Sequence, residues 1–464
     1  MERVVVPPRI RVFSQGEWYI YFDPYNWVWV RVNESGRLLL ELFRKYMTVP
    51  EVVDNIKEKF GLAHDQAEAG VNSFVESVVS AGFLHHNDYK ERDRSIFPRV
   101  DFPNDIYLHM TNNCNLKCPY CYNKTDRETK IQLEKIGMVA PTMNTEEYKG
   151  LIGRIIDCGV KRILFTGGEP LMRPDVLELI EFARSKSDTV VLEMLTNAIL
   201  ITDEVAEKLV TYMNNVTISL DGHEKHMHDY YRGKNTFEPT VRGIRRLVAK
   251  KKEMGSARPY VCIVPALTER NILNMKEIFE YSLDDLGANG LAPIIFQAGD
   301  HQEVNLTQIP ALNVYLEAMD RTSEYMISRA ERLGKPVNGS AAPIGPRNHC
   351  GVGHGEISVD PGGFVYPCQS LHFDEFVCGN VREYDIKHIF DESPVMNKMR
   401  STTVDVISVC SHCDLRYLCN AGCRATAYNV YRELDAHNEI YCNYLETLAV
   451  GRMWGTSHVS LSPN

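Results

Sequence analysis

Apolar runs and amphipathic stretches alternate through the middle of the chain. Short apolar runs suited to buried strands lie at 106–110, 161–165, 190–195, 216–220, 260–264 and 290–296. Helical patterns follow at 145–157, 174–186, 203–212, 238–254 and 271–283. Strands alternating with helices predict a parallel sheet with crossover helices, here with six strands. Ligands of parallel barrels bind at the carboxyl ends of the strands, where 196–197 and 219–222 lie.

The first ninety residues predict a smaller unit of two strands followed by three helices. The strand-like segments are 18–22 and 27–32, and the helical segments are 36–46, a stretch after Thr48, and 65–81. Thr48 and Glu51 form a capping box with Pro50 in the first turn, which predicts the start of the middle helix.

Changes of pattern along the chain predict its domain boundaries. A charged, irregular stretch at 85–97 indicates a linker, and apolar residues at helical spacing over 306–333 predict a long bridging helix. We expect, in order, an N-terminal domain at 1–88, a linker at 89–103, a barrel at 104–300, a bridging helix at 301–344 and a cysteine-rich domain at 345–464.

Composition narrows the class of protein. The 464 residues carry a net charge of −10, and residues 1–90 hold 10 Lys and Arg against 12 Asp and Glu. Nucleic acid is therefore not an expected partner, because binding it requires clustered positive charge. No apolar run approaches the ~20 residues of a membrane-spanning helix. We expect a cytoplasmic protein without a membrane partner, in which 13 cysteines favour metal ligation over disulfides.

The motif CNLKCPYC places three cysteines, Cys114, Cys118 and Cys121, just after the first barrel strand. Three thiolates can hold three corners of a four-iron cluster and leave the fourth iron open to a small molecule. Zinc is the plainer alternative, but zinc takes four ligands and no fourth lies nearby in the sequence.

A second motif follows the next strand. Gly167, Gly168, Glu169 and Pro170 begin 46 residues after Cys121. Paired glycines let the backbone approach a ligand closely, and a carboxylate can accept hydrogen bonds from an amine. Taken alone, the motif would be an ordinary turn between a strand and a helix.

The two motifs together resemble the radical S-adenosylmethionine (SAM) superfamily. The resemblance implies a partial (β/α)6 barrel and a [4Fe–4S] cluster that chelates SAM and cleaves it to a 5′-deoxyadenosyl radical. It also implies that the glycine motif contacts the SAM amine, that Tyr120 lies against the adenine, and that Ser219 and Arg232 hold the ribose or carboxylate. Asn197 and Asp221, at strand ends, complete the candidate SAM site. A turn serine and a surface arginine remain alternatives for Ser219 and Arg232.

Seven further cysteines resemble the SPASM extension of that superfamily, which carries two auxiliary iron–sulfur clusters. The family pattern assigns Cys410, Cys413, Cys419 and Cys442 to the outer cluster. It assigns Cys350, Cys368 and Cys423 to the inner cluster. The inner cluster then lacks a fourth cysteine, and Cys378, His354, a water or a substrate thiol could complete it. Zinc stays an alternative for the 410–423 group.

Three cysteines are left, and two of them, Cys158 and Cys262, are expected to be small buried hydrophobes.

The N-terminal order of strands and helices resembles the RiPP recognition element, a winged-helix domain that binds the leader of a ribosomally made peptide. Such domains offer a sheet edge to an extended peptide, and residues 27–31 would provide it here. The resemblance implies a peptide maturase that abstracts hydrogen from carbon and installs a thioether crosslink. It also implies a reducing electron donor such as flavodoxin or ferredoxin.

Other outcomes stay open. Carbon–carbon crosslinking, epimerisation or backbone excision would use the same radical, and an iron–sulfur carrier or regulator would need none. Sulfatase maturation is a minor alternative, because those relatives place an aspartate base where this chain has Gln369, which cannot accept a proton. No catalytic base is assigned.

Overall fold

A nine-stranded sheet forms the centre of the computed structural model, which describes residues 4–92, 100–121, 141–297, 306–334 and 346–455. Its strands, in spatial order, are β12 (Gly290–Leu291), β10 (Tyr260–Val264), β9 (Asn215–Ser219), β8 (Val191–Thr196), β7 (Arg162–Thr166), β6 (Asp105–His109), β14 (Glu356–Val359), β15 (Phe364–Tyr366) and β16 (Gly379–Asn380). The run from β12 to β6 is parallel throughout. The predicted partial barrel with six parallel strands is therefore confirmed.

Alternation along the strands separates two faces of this sheet. Ile106 and Leu108 of β6 pack into the main apolar core with the crossover helices. The opposite face, called the inner face below, carries polar side chains: Arg162 bonds Asp105 at 2.9 Å and Glu193 at 3.3 Å, and Thr217 donates to Glu193 at 2.7 Å. Successive strand residues point to opposite faces, so this polar network lines the inside of the barrel.

Five of the six crossover helices lie close to their predicted positions, and the one at Lys225–Arg232 was not predicted. The six are α4 (Thr145–Asp157), α5 (Val176–Lys186), α6 (Asp203–Tyr212), α7 (Lys225–Arg232), α8 (Phe237–Glu253) and α9 (Met275–Glu280). Asn144 and Glu147 form a capping box at α4, and the Thr202 hydroxyl accepts a hydrogen bond from the Val205 amide at α6. Such caps satisfy amides that the first helical turn leaves free.

Two predicted elements are divided in the structure. The strand expected at 290–296 is split into β12 and β13 (Ile294–Ile295), which pairs with β11 (Ala266–Leu267). Pro293 lies between the two pieces and cannot donate a hydrogen bond to a neighbouring strand. The long helix expected from 306 is a 3-10 turn, Leu306–Gln308, and then α10 (Leu312–Leu333), because Pro310 intervenes.

The N-terminal domain is a three-stranded antiparallel sheet followed by three helices. Its elements are β2 (Arg11–Gln15), β3 (Trp18–Asp23), β4 (Val28–Val32), α1 (Glu34–Arg44), α2 (Val49–Phe60) and α3 (His64–Ser80). The pair β1 (Val4–Val5) and β5 (His85–His86) closes the domain. Strand β2 is absent from the prediction, which otherwise has the right order, and the capping box at Thr48 is confirmed.

The cysteine-rich part continues the barrel sheet. Strand β14 pairs in parallel with β6, from Glu356 opposite Asp105 to Val359 opposite Leu108. Helices α11 (Ile386–Glu392), α12 (Pro394–Ser401), α13 (Arg416–Cys419), α14 (Arg424–Tyr431) and α15 (Glu439–Gly455) follow. The predicted boundary at 345 thus lies just before a strand that joins the barrel, and the division into domains stays a prediction. Parts of the predicted linker, barrel and bridging region lie outside the described residues.

The N-terminal domain packs on the cysteine-rich part. Trp27 is 4% exposed and shares an apolar cluster with Cys410 and Tyr417. At the rim, Arg9 pairs with Asp414 at 2.9 Å and Arg11 pairs with Glu446 at 2.7 Å. None of the helices in the described ranges is both long and apolar enough for a membrane span.

Candidate functional site

The first cysteine set lies in the loop that follows β6. Burial raises the pKa of both Cys114 and Cys118 to about 11, and the Cys121 thiol adds to the increase at each. The three thiols therefore lie within electrostatic range of one another, although three residues separate the first two in the sequence. A bound cation would stabilise the thiolates that this environment disfavours, so the set suits metal ligation.

The glycine motif places this loop against the end of β7. Gly167 has a φ of +125°, and a Cβ there would lie 2.5 Å from the Thr111 carbonyl oxygen. A Cβ on Gly168 would overlap the carbonyl of Asn113, next to Cys114. The Glu169 amide donates to that same carbonyl at 2.9 Å. Only residues without a side chain allow this close approach of backbones.

Glu169 is an acid held inside the protein by hydrogen-bond donors. It is 1% exposed, and it accepts from the Thr196 hydroxyl at 2.7 Å and from the Asn197 amide at 2.8 Å. Burial raises its pKa to about 7 against the opposing effect of these bonds. Its charge in turn raises the pKa of Cys114, so the two groups are neighbours. The Asn197 side chain donates to Asn115, also in the cysteine loop, at 2.7 Å.

A buried ion pair also lies within electrostatic range of the cysteine set. Arg232 contacts Asp221 at 2.6 Å, with 15% and 0% of the two side chains exposed. Burial alone would raise the pKa of Asp221, but Arg232 brings it below the ordinary value. The Tyr120 hydroxyl also donates to Asp221, and the guanidinium lies 5.2 Å from the centre of the Tyr120 ring. Arg232 is therefore not the surface arginine that the sequence allowed.

The candidate SAM residues thus form two groups flanking the first cysteines. Burial raises the pKa of both Cys114 and Cys118; Glu169 adds to the increase at Cys114, and Arg232 opposes it at both cysteines. Ser219 is partly buried at the end of β9, opposite Val264. The roles of these residues toward SAM stay predictions.

The inner cysteine set is brought together from three distant segments. Burial, then Cys423, raises the pKa of Cys350 to about 11, and burial raises that of Cys368 with added effects of Cys423 and Cys350. Cys378 has other neighbours. Burial raises its pKa, whereas Ser393 and Arg400 lower it, and its Sγ lies 3.4 Å from the Phe376 carbonyl oxygen.

The outer cysteine set also converges. Burial raises the pKa of Cys410 to about 11 and that of Cys419 to about 12, and the Cys413 and Cys442 thiols contribute at both. Within the described ranges, no three His, Cys, Asp or Glu side chains stand close enough to share one metal ion. A cubane holds each of its ligands on a different iron.

Sequence reasoning missed several residues near these sites. Glu356, at the start of β14, raises the pKa of both Cys350 and Cys368. Cys262 was expected to be a plain buried hydrophobe, but it is partly exposed, and burial followed by Glu193 raises its pKa to about 11. Alternation along β10 places it on the polar inner face, a signal that was readable once the strand was assigned. Cys158 packs against the main core, but it is also only partly buried.

Comparison with known families matches three parts of the chain. Residues 108–262 match the radical SAM superfamily, residues 350–414 match the SPASM iron–sulfur cluster-binding domain, and residues 19–84 match coenzyme PQQ synthesis protein D (PqqD). The chain is a radical SAM enzyme of the SPASM branch. The N-terminal PqqD match makes it a peptide-modifying maturase with a recognition domain, and the predicted cofactors, SAM and iron–sulfur clusters, are confirmed.

Two relatives of this radical SAM enzyme each match nearly three quarters of the chain. The AdoMet-dependent heme synthase of Nitratidesulfovibrio vulgaris is 29% identical over 360 residues, which cover 73% of this chain and 92% of that protein. Mycofactocin maturase MftC of Mycobacterium tuberculosis is 27% identical over 349 residues, covering 72% and 82%.

Solved structures confirm the fold. SuiB of Streptococcus suis bound to S-adenosylmethionine aligns with a TM-score of 0.55 at 15% identity, covering 94% of this chain and 99% of SuiB. The structure of anSMEcpe with bound AdoMet aligns with a TM-score of 0.57 at 19% identity, covering 76% and 99%.

Proposed function

We propose that this enzyme installs a thioether crosslink in a ribosomally made peptide whose leader docks on the N-terminal domain. The observation that carries the proposal is the inner set of three cysteines, Cys350, Cys368 and Cys423, with Cys378 held apart from it. Three thiolates leave one iron without a cysteine, and iron–sulfur clusters favour soft sulfur ligands. A thiol of the peptide is therefore suited to that iron.

The leader is proposed to add a strand along β4. In the described part of the chain, the sheet order is β2–β3–β4, so β4 has a sheet edge that carries no further strand there. An extended peptide can bind such an edge through backbone hydrogen bonds. Support also comes from SuiB, which has been solved bound to its precursor peptide SuiA.

SAM is proposed to lie between the two polar groups that flank Cys118. Glu169, which is already surrounded by donors, would accept from the SAM amine, and Asn197 would fix that carboxylate through its amide. Tyr120, Ser219 and Arg232 would contact the rest of the molecule. Asp221 would orient both Tyr120 and Arg232, because it is bonded to each.

The cofactors supply the radical chemistry when bound: SAM gives the hydrogen-abstracting radical, and the inner cluster takes up the electron that remains when sulfur bonds to carbon. The protein contributes the positions of the reacting groups. The neighbour of Cys368 is Gln369, whose amide cannot accept a proton, so no base directly follows this cysteine.

Mass spectrometry of the peptide tests the proposal. Anaerobically reconstituted enzyme, reductant, SAM and a candidate precursor peptide, sought among the neighbouring genes, should give a peptide lighter by two hydrogens, with one cysteine no longer alkylated by iodoacetamide. Fragmentation should place the new bond at that sulfur. Cys118→Ala, which removes one ligand of the first set, should give no product.

Two other outcomes would contradict the thioether proposal and favour a different function. A product with the same mass loss but a freely alkylated cysteine would indicate a carbon–carbon bond. Absence of 5′-deoxyadenosine in every reaction would favour an iron–sulfur carrier or regulator. Flavodoxin or ferredoxin is proposed as the electron donor, and replacing dithionite by either protein tests that separately.

A further inference from the structure

An acidic side chain that makes no hydrogen bond or ion pair within the described part of the chain lies beside the inner cysteine set. Glu356 begins β14, and no hydrogen bond or ion pair to another described residue reaches its carboxylate. Ile357 and Val359 point into the main core, so alternation turns Glu356 to the inner face with Ser358. Burial, then Asp105, raises the pKa of Glu356 to about 7, whereas the Arg162 and Arg347 guanidiniums lower it without contacting its carboxylate.

The loop between Cys350 and β14 folds the carboxylate back over the first cysteine. Gly351 and Gly353 have φ values of +108° and +70°, and the Gly355 amide donates to the Gly351 carbonyl at 3.0 Å. A bridge then joins Val352 to Glu356. As a result, Oε1 of Glu356 lies 3.9 Å from the position of a Cβ on Gly351, directly next to Cys350.

The same carboxylate is close to a second cysteine of the set. Burial, then Glu356, raises the pKa of Cys368, and Glu356 also contributes at Cys350. Strand β15 runs antiparallel to β14, with Tyr366 opposite Ser358, so Cys368 two residues later lies level with Glu356. Two different segments therefore bring a cysteine to the same carboxylate.

The alternative fourth ligands are turned to other partners. The ring of His354 stacks on that of His349, with centroids 3.6 Å apart and planes within 7°. Cys378 is directed to the Phe376 carbonyl, with Ser393 and Arg400 as the groups that act on its pKa.

We propose that the Glu356 carboxylate is the fourth ligand of the inner iron–sulfur cluster in the enzyme without peptide. Oxygen is a harder ligand than sulfur, so it binds iron of such a cluster less favourably than a thiolate does. A peptide thiol can then exchange with it: the iron–oxygen bond is replaced by an iron–sulfur bond, the thiol proton moves to the released carboxylate, and no electron is transferred. This inference does not depend on which bond the enzyme finally makes.

Spectroscopy of the resting enzyme tests the ligand without any peptide. The Cys114→Ala, Cys118→Ala, Cys121→Ala background removes the first cluster and leaves the auxiliary clusters for observation. With 57Fe, one of the four inner irons should show an oxygen-ligated Mössbauer subsite, and Glu356→Cys should convert it to the thiolate type. Glu356→Ala should open this iron, so mild ferricyanide oxidation should release it and give the [3Fe–4S] electron paramagnetic resonance signal.

A labelling experiment keeps the test valid where a variant fails to fold. Wild-type chain made with 13C-glutamate should show a 13C hyperfine coupling at the reduced inner cluster, which a distant carboxylate would not give. Asp105→Asn is the matched control, because it removes the carboxylate paired in register with Glu356. It should leave the subsite unchanged.

Three results would overturn the inference. These are an absent 13C coupling, no [3Fe–4S] signal from Glu356→Ala after mild oxidation, or the same loss of iron in His354→Ala or Cys378→Ala. Because no peptide is present, these outcomes are distinct from a failed crosslinking reaction.

Discussion

Replacing Trp27 should loosen the N-terminal domain from the outer cysteine set. The Trp27 ring lies 4.8 Å from the ring of Tyr417, centroid to centroid, and packs in one cluster with Val404, Ile407 and Cys410. Trp27 does not belong to the apolar core of the N-terminal domain itself. Trp27→Ala therefore removes contacts between the domain and the cluster-binding part and leaves the domain itself folded.

The expected magnitude follows from the burial of the indole. Trp27 is 4% exposed, and truncating such an aromatic side chain to alanine costs about 3–5 kcal/mol. Because every ~1.4 kcal/mol is a factor of ten, the open form of the interface should become roughly a hundred to a few thousand times more populated.

Hydrogen–deuterium exchange of the anaerobic holoenzyme measures this opening. Segment 404–421 should lose protection in Trp27→Ala, and the outer cluster should release iron sooner because Cys410 belongs to the same apolar cluster. Trp18→Ala is the control, since Trp18 is partly exposed on β3 and lies beneath Arg31 at 5.3 Å. Equal protection of 404–421 in wild type and Trp27→Ala would refute the argument that this side chain fastens the interface.

Three further variants probe the barrel. Gly168→Ala should lower iron retention because its Cβ would overlap the backbone of the first cysteine loop, whereas Gly243→Ala, overlapping backbone elsewhere, should destabilise the barrel and keep the iron. Asp221→Asn leaves the buried Arg232 guanidinium without its carboxylate and should lower the free energy of unfolding by about 3 kcal/mol, or the melting temperature by about 6–12 °C. The Asp221→Asn/Arg232→Gln double variant should recover part of this stability. Burial lowers the pKa of His228 to about 4. Between pH 6.5 and about 4, His228 is therefore protonated in the unfolded chain but neutral in the folded chain, so the free energy of unfolding falls as the pH falls. In urea unfolding, His228→Asn should remove about 2 kcal/mol of the stability that the wild type loses between pH 6.5 and 5.

Local signals determine how much of the fold could be predicted. Helices 145–157 and 203–212 were predicted to the residue, because a capping residue begins each and an apolar stripe runs along it. Strand β2 was missed because Arg11–Gln15 is a mostly polar edge strand whose partner, β3, determines its conformation. The continuation of the sheet into β14 was missed for a related reason: pairing between residues 250 positions apart leaves no local pattern.

The residues of the candidate site also differ in whether a local sequence pattern reveals them. Cysteine spacing and the glycine motif are local, so ten candidate ligands and Glu169 could be named from sequence. The Asp221–Arg232 pair needs a helix to return over a strand end, and Glu356 needs β14 to pair with β6. Asp221 and Arg232 were named separately from sequence, but not as a pair, and Glu356 was not named; only tertiary structure gives these side chains their neighbours.

The pairing of β6 with β14 also sets the distance that a substrate must span. The first cysteine set follows the carboxyl end of β6, whereas Glu356 and the inner set lie level with its amino end, at Asp105. A five-residue strand is about 13–17 Å long at roughly 3.3 Å per residue. A short extended segment of peptide can therefore place one residue near SAM and a thiol near the inner iron at the same time. Along that path it would meet the polar inner face of Arg162, Glu193 and Thr217, so the residues between the two crosslinked positions should be polar rather than bulky and apolar.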